Sequence, residues 1–343
     1  MTEDKVRLIG SCPFAKPGQT GRSYINSVIT AAKWAENAEW DSVLIYTNHN
    51  IVDPWLVAQI VAQNTASLSP LVAVQPLYAH PYTVANNISS LAYLYSRSIH
   101  INLVAGDFTR DRESFCDDVP HDKRYDRVFE YGSILKGLLS THQPFSFSGE
   151  YYKVSRLLLQ QKSPEDVLPD FMMSGSSPAG RMVAAKLGAC AIEYPRPSCE
   201  YLGEKLDTAV SHGVRLGFVV RESSEEAWRV AKKRFPESKD GAMIREYSSQ
   251  ISDSSWVKAL NGAVSENGGV YWLSPFKHYQ SNCPYLVGSM DEVAAELAAY
   301  IRTGFKTFLI DFPENAEDAR RITQIFKLAD RSVGNPVVAR VPA

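Results

Sequence analysis

LVAVQPLYAHPYTVANNISSLAYLYSRSIHINLVA, Leu71 to Ala105, reads as strand, helix, strand. LVAVQ (71–75) and IHINLVA (99–105) are short apolar runs rich in β-branched residues. They bracket YTVANNISSLAYLYS, whose apolar residues recur at spacings of three and four, the period of a helix with one buried face. Two strands joined through a helix lie parallel in one sheet, since a crossover of this length cannot be a hairpin. Strands apolar on both faces must be covered on both faces, which is the condition of an α/β fold.

The same unit recurs on either side. VRLIG (6–10), SVLIY (42–46), DFMMS (170–174), ACAIE (189–193), VRLGFVV (214–220) and KTFLI (306–310) bring the strand candidates to eight. SYINSVITAAKWAENA, PWLVAQIVAQNTASL, RYDRVFEYGSILKGLL, SPAGRMVAAKLGA and EDARRITQIFKLADRSV supply helices between them. Eight strands each followed by a helix predict a single (β/α)8 TIM barrel spanning 1–343, with its active site at the carboxyl ends of the strands. A doubly wound open sheet is the alternative. Three segments interrupt the alternation and read as insertions on the catalytic face. They are about 106–124, 144–169 and 235–284. The second contains FSFSGEYYKV, a hairpin turning at Ser148-Gly149; the third, with GGVYWLSPFKHYQSNCP, reads as a lid.

A chain of 343 residues that is 45% hydrophobic can bury a core of this size. Its net charge of -2 provides no basic field to hold nucleic acid or a membrane surface. Five scattered cysteines form no CxxC pair and no even disulfide framework. MTEDKVRLIG has charges where a signal peptide needs an apolar core, and no run reaches membrane-span length. These features predict a cytoplasmic protein.

FMMSGSSPAGRMVAAKLGA (171–189) passes from strand to helix through Ser174-Gly175-Ser176-Ser177. Small residues before a helix N-terminus allow close approach of an anion such as phosphate, and Pro178 suits the first helical turn. The same residues also make an ordinary N-cap. HDKRYDR opens the helix after the fourth strand and sets His121 and Tyr125 four apart on one face, able to meet a polar cofactor or to cap and pack. Asn102 lies in an apolar strand, so its amide needs a partner, a ligand or an internal one. His100, nearer the strand start, reads as structural. His49 (YTNHN) and His80 (LYAHPY) follow strand ends and are candidate catalytic proton donors or substrate contacts. No HxH, HExxH, GxSxG, GxxxxGK[ST] or GxGxxG occurs, so neither a metal site nor a dedicated nucleotide-binding domain is expected.

Together WDSVLIYTNHNIVDPWLVA, LVAVQPLYAHPYTVANNISSLAYLYSRSIHINLVAGD, HDKRYDR, FSGEYYKV, FMMSGSSPAGRMVAAKLGA and LVGSMDEVAAELAAYIRTGFKTFLI resemble the bacterial luciferase-like flavin monooxygenases, most closely the alkanesulfonate monooxygenase branch. The resemblance implies a (β/α)8 barrel. It also implies FMN as cofactor, arriving as FMNH2 from a separate NAD(P)H:flavin reductase, and O2 as co-substrate. A peroxyflavin would then oxygenate a small organic molecule. On that pattern Gly175, Ser176 and Ser177 hold the FMN phosphate and His121 and Tyr125 contact the flavin. Asn102 lies beside the ring, and Val74 and Gln75 form the edge against it. Tyr194 is the aromatic after strand six. Tyr271, Trp272, Pro275 and Phe276 would shield the reaction from water. A homodimer or homotetramer is implied.

The chain departs from that branch in two places. Asn48-His49-Asn50-Ile51 replaces a cysteine and a serine-arginine stretch, and SPFKHYQSNCP replaces an arginine-bearing lid, with Lys277 or His278 as the cations available. The substrate is therefore open between a sulfonate and another compound, free or carrier-bound. A deazaflavin-dependent hydride-transfer enzyme and a non-catalytic flavin-binding barrel are the competing functions.

Overall fold

A computed structural model describes residues 5–106, 109–161, 168–175, 177–252, 254–263 and 269–334. The chain begins β1 (Arg7–Ser11), α1 (Gly21–Asn37), β2 (Ser42–Ile45), α2 (Pro54–Asn64), β3 (Ser69–Val74), α3 (Pro81–Tyr95), β4 (His100–Val104). It continues α4 (Thr109–Ser114), α5 (His121–Ser140), β5 (Phe145–Ser148), β6 (Lys153–Leu157), β7 (Phe171–Ser174), α6 (Pro178–Leu187), β8 (Cys190–Glu193). Then follow β9 (His212–Arg221), α7 (Ser224–Arg234), α8 (Lys239–Ile251), α9 (Ser255–Gly262), β10 (Tyr271–Trp272) and α10 (Ser274–Lys277). The described chain closes with β11 (Tyr285–Ser289), α11 (Met290–Thr303), β12 (Phe305–Ile310) and α12 (Ala316–Gly334).

Strands β1, β2, β3, β4, β7, β8, β9 and β12 pair in that order, all parallel, and β12 returns to β1. The ring is closed, which rules out the open doubly wound sheet, and its members are the eight runs read from the sequence. One expected helix is missing. After β8 the chain makes only a 3-10 turn, Ser198–Tyr201, because Pro195 and Pro197 remove backbone donors and hold the residues before them extended.

Alternate strand residues separate two layers. Ile9, Leu44, Leu71, Ala73, Met172, Cys190, Ile192 and Leu309 fill the barrel interior. Val43, Val72, Ile101, Leu103, Met173, Val214 and Phe308 face outward into the larger core beneath the helices. Gly213 is needed inside, since a Cβ there would stand 2.6 Å from Ile192 Cδ1 and 2.7 Å from the Thr307 carbonyl.

β9 serves two sheets. Its first half pairs with β8 and β12, while Gly217–Arg221 pairs in parallel with Tyr285–Ser289 of β11, which in turn pairs antiparallel with β10. The sequence reading does not include β11 as a strand. It runs directly into α11 through a capping box in which Ser289 and Glu292 satisfy each other's backbone N–H groups, so no polar turn separates the two.

At the amino-terminal end of the barrel His100 is buried, and its Nδ1 accepts the Asp170 backbone N–H at 3.0 Å. Burial pushes the imidazole down to about 4. The folded state thus binds this proton more weakly than the unfolded chain, whose histidine titrates near 6.5. Stability from the neutral ring is complete above about 6.5 and is lost as pH falls towards 4, a loss of about 3 kcal/mol at 1.4 kcal/mol per unit. His100→Gln, which keeps an acceptor but cannot titrate, should flatten the acid limb of the unfolding free energy. An unchanged slope between pH 6.5 and 4 would refute the assignment.

Candidate active site at the carboxyl ends of the barrel strands

The turn after β7 meets the start of α5. Ser177 caps the ten-residue α6, its Oγ accepting the Gly180 N–H at 3.1 Å, with Pro178 next as expected for a first turn. The Arg181 N–H returns to the Ser177 carbonyl, which leaves Ala179 as a first-turn amide without a partner among the described residues. Tyr125 is buried against this turn. A Cβ on Gly175 would lie 2.8 Å from its hydroxyl, and one on Gly180 would lie 2.8 Å from the Gly175 carbonyl. His121 stacks edge-on against Tyr125 with centroids 5.4 Å apart, and its Nδ1 lies 2.8 Å from Asp122. Four of the expected flavin contacts, His121, Tyr125, Gly175 and Ser177, therefore converge. Ser176 lies outside the described residues. Behind this junction a cleft of about 830 Å³ opens between α5, α6 and the β5–β6 turn, but Gln75, Asn102 and Arg215 are absent from its walls.

The alternation that fills the barrel interior continues to its mouth, placing Tyr46, Gln75, Asn102, Ser174, Arg215 and Asp311 on the inward side. Asn102 is buried and its Oδ1 accepts the Ser174 hydroxyl at 3.0 Å, so its amide nitrogen remains a donor for a ligand. Gln75 packs against Gly106, whose φ of +91° favours glycine and where a Cβ would stand 2.7 Å from the Gln75 amide nitrogen. Val74 packs its side chain outward with the helices, so only its backbone can form an edge at the mouth.

His49 is held at the rim by Asp111 of α4, Nδ1 to Oδ1 at 2.8 Å, a close contact without good hydrogen-bond alignment. The same carboxylate accepts the Tyr78 hydroxyl and, at 3.4 Å, the Asn48 amide. Loops after β2 and β3 are thus tied to one buried group of the 106–124 segment. His80 is placed differently. Exposed at the start of α3, it caps that helix through Nδ1 and the Tyr82 N–H, and it meets Tyr152 edge-on.

Over the mouth Tyr194 stacks flat on Trp256 of α9, centroids 3.6 Å apart, and Trp256 leans on the fully buried Phe276. Tyr271 joins them and donates to the Pro195 carbonyl. Trp272 turns instead to Trp228 and Phe235 on the α7 side. Lys277 donates to the Ala263 carbonyl, and His278 contacts Ser274 at 2.9 Å, so both side chains are engaged locally. Arg245 pins the lid from below, bonding the Phe276 and Ser281 carbonyls at 2.8 and 3.0 Å.

The sequence reading does not include Arg215 and Asp311. Arg215 Nη2 donates to the Tyr46 hydroxyl at 2.5 Å and lies 3.6 Å from Asp311. Burial works against the guanidinium charge, but the surrounding oxygen and sulfur groups outweigh it and hold the group well above its usual range. Asp311 also accepts from Ser281 at 2.8 Å and Tyr285 at 2.7 Å. Tyr285 reaches it because Gly217 lets the ring lie across β9.

Comparison with known proteins agrees with this fold. A model of the luciferase-like monooxygenase family matches residues 6–307. The 4-(gamma-L-glutamylamino)butanoyl-[BtrI acyl-carrier protein] monooxygenase BtrO of Niallia circulans is 29% identical over 342 residues, covering 97% of this chain and 99% of the relative. Among solved structures, long-chain alkane monooxygenase LadA has a TM-score of 0.71 at 18% identity, covering 100% of this chain and 94% of its own. Riboflavin lyase RcaE, solved with modified FMN and riboflavin, has a TM-score of 0.72 at 16% identity, covering 98% and 93%.

Proposed function

The chain belongs to the luciferase-like monooxygenase family, and from that premise we propose that it is the oxygenating component of a two-component FMN system acting on an acyl chain carried by an acyl-carrier protein. The observation that carries the cofactor is the convergence of His121 and Tyr125 with Gly175 and Ser177 at the start of α6, packed so closely that a Cβ at Gly175 or Gly180 would meet Tyr125 or the Gly175 carbonyl. Reduced FMN, delivered in the cytoplasm by a separate NAD(P)H:flavin reductase and held by these residues, would supply the two electrons and two protons that the reaction requires. One atom of O2 then enters a substrate C–H bond and the other leaves as water.

The protein's residues have distinct tasks in this scheme. The α6 N-terminus and Ser177 hold the phosphate, its charge favoured by the helix dipole. Gln75, the Asn102 amide and the backbone at Val74 face the ring. His49, oriented by Asp111, holds or releases a proton at the rim. Tyr194, Trp256, Tyr271 and Phe276 exclude water. A simple sulfonate suits the mouth poorly, because an anion at Arg215 would also face the Asp311 carboxylate 3.6 Å away. The match to BtrO favours a longer, carrier-borne substrate.

Titration with FMN and with a deazaflavin, followed by mixing of photoreduced FMN, O2 and an acyl thioester, tests the reading. FMN is expected to bind more tightly and the thioester to emerge hydroxylated. Preferential deazaflavin binding, or flavin reoxidation at the protein-free rate, would overturn it. Trp256→Ala should release a several-fold larger share of the reducing equivalents as hydrogen peroxide while FMN still binds, since it opens the aromatic cover. Coupling equal to that of the parent protein would remove the shielding role.

A further inference from the structure

Two of the buried ion pairs in this chain are closed by short bonds. Arg127 and Asp117 meet through two parallel bonds of 2.8 Å, and Arg221 meets Asp318 at 2.7 Å. Arg215 and Asp311 are assembled differently. Each is anchored by neutral hydroxyls from other elements, and the Arg215 Nη2 that meets Tyr46 is the same atom that faces Asp311. Arg215 is held by Tyr46, and Asp311 is held through Oδ2 by Ser281 and Tyr285. Their facing groups, Nη2 and Oδ1, stop at 3.6 Å, and Arg215 Nε is buried with no hydrogen-bond partner. A cation and a carboxylate are thus fixed side by side, inside the barrel at its reactive end, without neutralising each other through a direct hydrogen bond.

We propose that Arg215 and Asp311 form the head-group subsite for a zwitterion, with an α-carboxylate taken by Arg215 and the neighbouring α-ammonium by Asp311. An α-amino acid carries its two charges on one carbon, a spacing that suits two opposite charges held almost in contact. A head with a single charge is disfavoured by one member of the pair, an anion by Asp311 and a cation by Arg215. A γ-linked glutamyl group is such a head, because its α-amino and α-carboxyl groups are both free. The inference rests on the carrier-borne acyl substrate proposed above. The distal amino-acid end enters deepest, the thioester stays towards the rim, and the carbon to be oxygenated lies between them.

The test is calorimetric binding to the FMN-loaded protein of γ-L-glutamyl butylamide, of glutaryl butylamide, which lacks the ammonium, and of 4-aminobutyryl butylamide, which lacks the carboxylate. The zwitterion is expected to bind at least about tenfold more tightly than either analogue. Asp311→Asn should abolish its advantage over the glutaryl compound, and Arg215→Gln its advantage over the aminobutyryl compound. Both variants should bind FMN as the parent does, which reports that the barrel is folded. Equal binding of the three compounds, no binding of any, or an unchanged preference in Asp311→Asn would overturn the subsite. Failure of the oxygenase reading shows elsewhere, as absence of FMN binding or of hydroxylated product. Head-group binding requires no oxygen chemistry.

Discussion

Gly175→Val is expected to raise the FMN dissociation constant about 100-fold or more while circular dichroism and the unfolding midpoint change little. The added side chain would occupy the space against the hydroxyl of Tyr125, which is buried on α5. The turn would have to move away from the α6 N-terminus, costing the phosphate two or more charge-assisted hydrogen bonds of about 1.5–3 kcal/mol each. At 1.4 kcal/mol per factor of ten, two such losses account for the effect. Equilibrium titration with FMN measures it. Parental affinity in a folded Gly175→Val protein would show that the flavin phosphate binds elsewhere.

His49→Ala is expected to lower kcat about 100-fold, within the range of general acid–base catalysis, and to leave FMN affinity unchanged. Asp111→Asn should produce a smaller loss, about tenfold, because Asp111 positions His49 and touches no substrate itself. Added imidazole should restore part of the turnover of His49→Ala and none of that of Asp111→Asn. Steady-state kinetics with saturating reduced FMN separates these cases. Equal turnover in His49→Ala and the parent would remove the proton-transfer role.

Fold and site differ in how far the linear chain discloses them. The eight barrel strands are visible because each is a short apolar run closed off by turn residues or a helix cap, a pattern local enough to be read without its neighbours. β11 is hidden because YLVGS flows into a helix through Ser289 and Glu292, and because its partner is only the upper half of β9. The proposed phosphate turn is legible for a local reason too: a strand, small residues and a helix cap follow one another within a few positions. His49 and Asp111 are far apart in sequence, and nothing local pairs them. Arg215 was within reach of the rule that singles out Asn102, since it too is a polar side chain in an apolar strand. Asp311 completes the pair only through strand pairing across the long insertion, which sets β12 beside β9. Trp272 shows the limit from the other side, an aromatic in the lid whose ring packs away from the mouth.

The double use of β9 constrains how such an enzyme can be redesigned. Five of its residues belong to the barrel and five to the ladder that carries β10 and β11. The substrate cover is therefore not a cassette that can be exchanged between relatives at two loop junctions. A graft that replaces 235–284 but keeps the native upper half of β9 must match the register of Tyr285 over Gly217. Otherwise it leaves an unpaired strand edge open to aggregation. Specificity and solubility are thereby coupled through one strand, and a successful chimera has to cross over inside β9 itself.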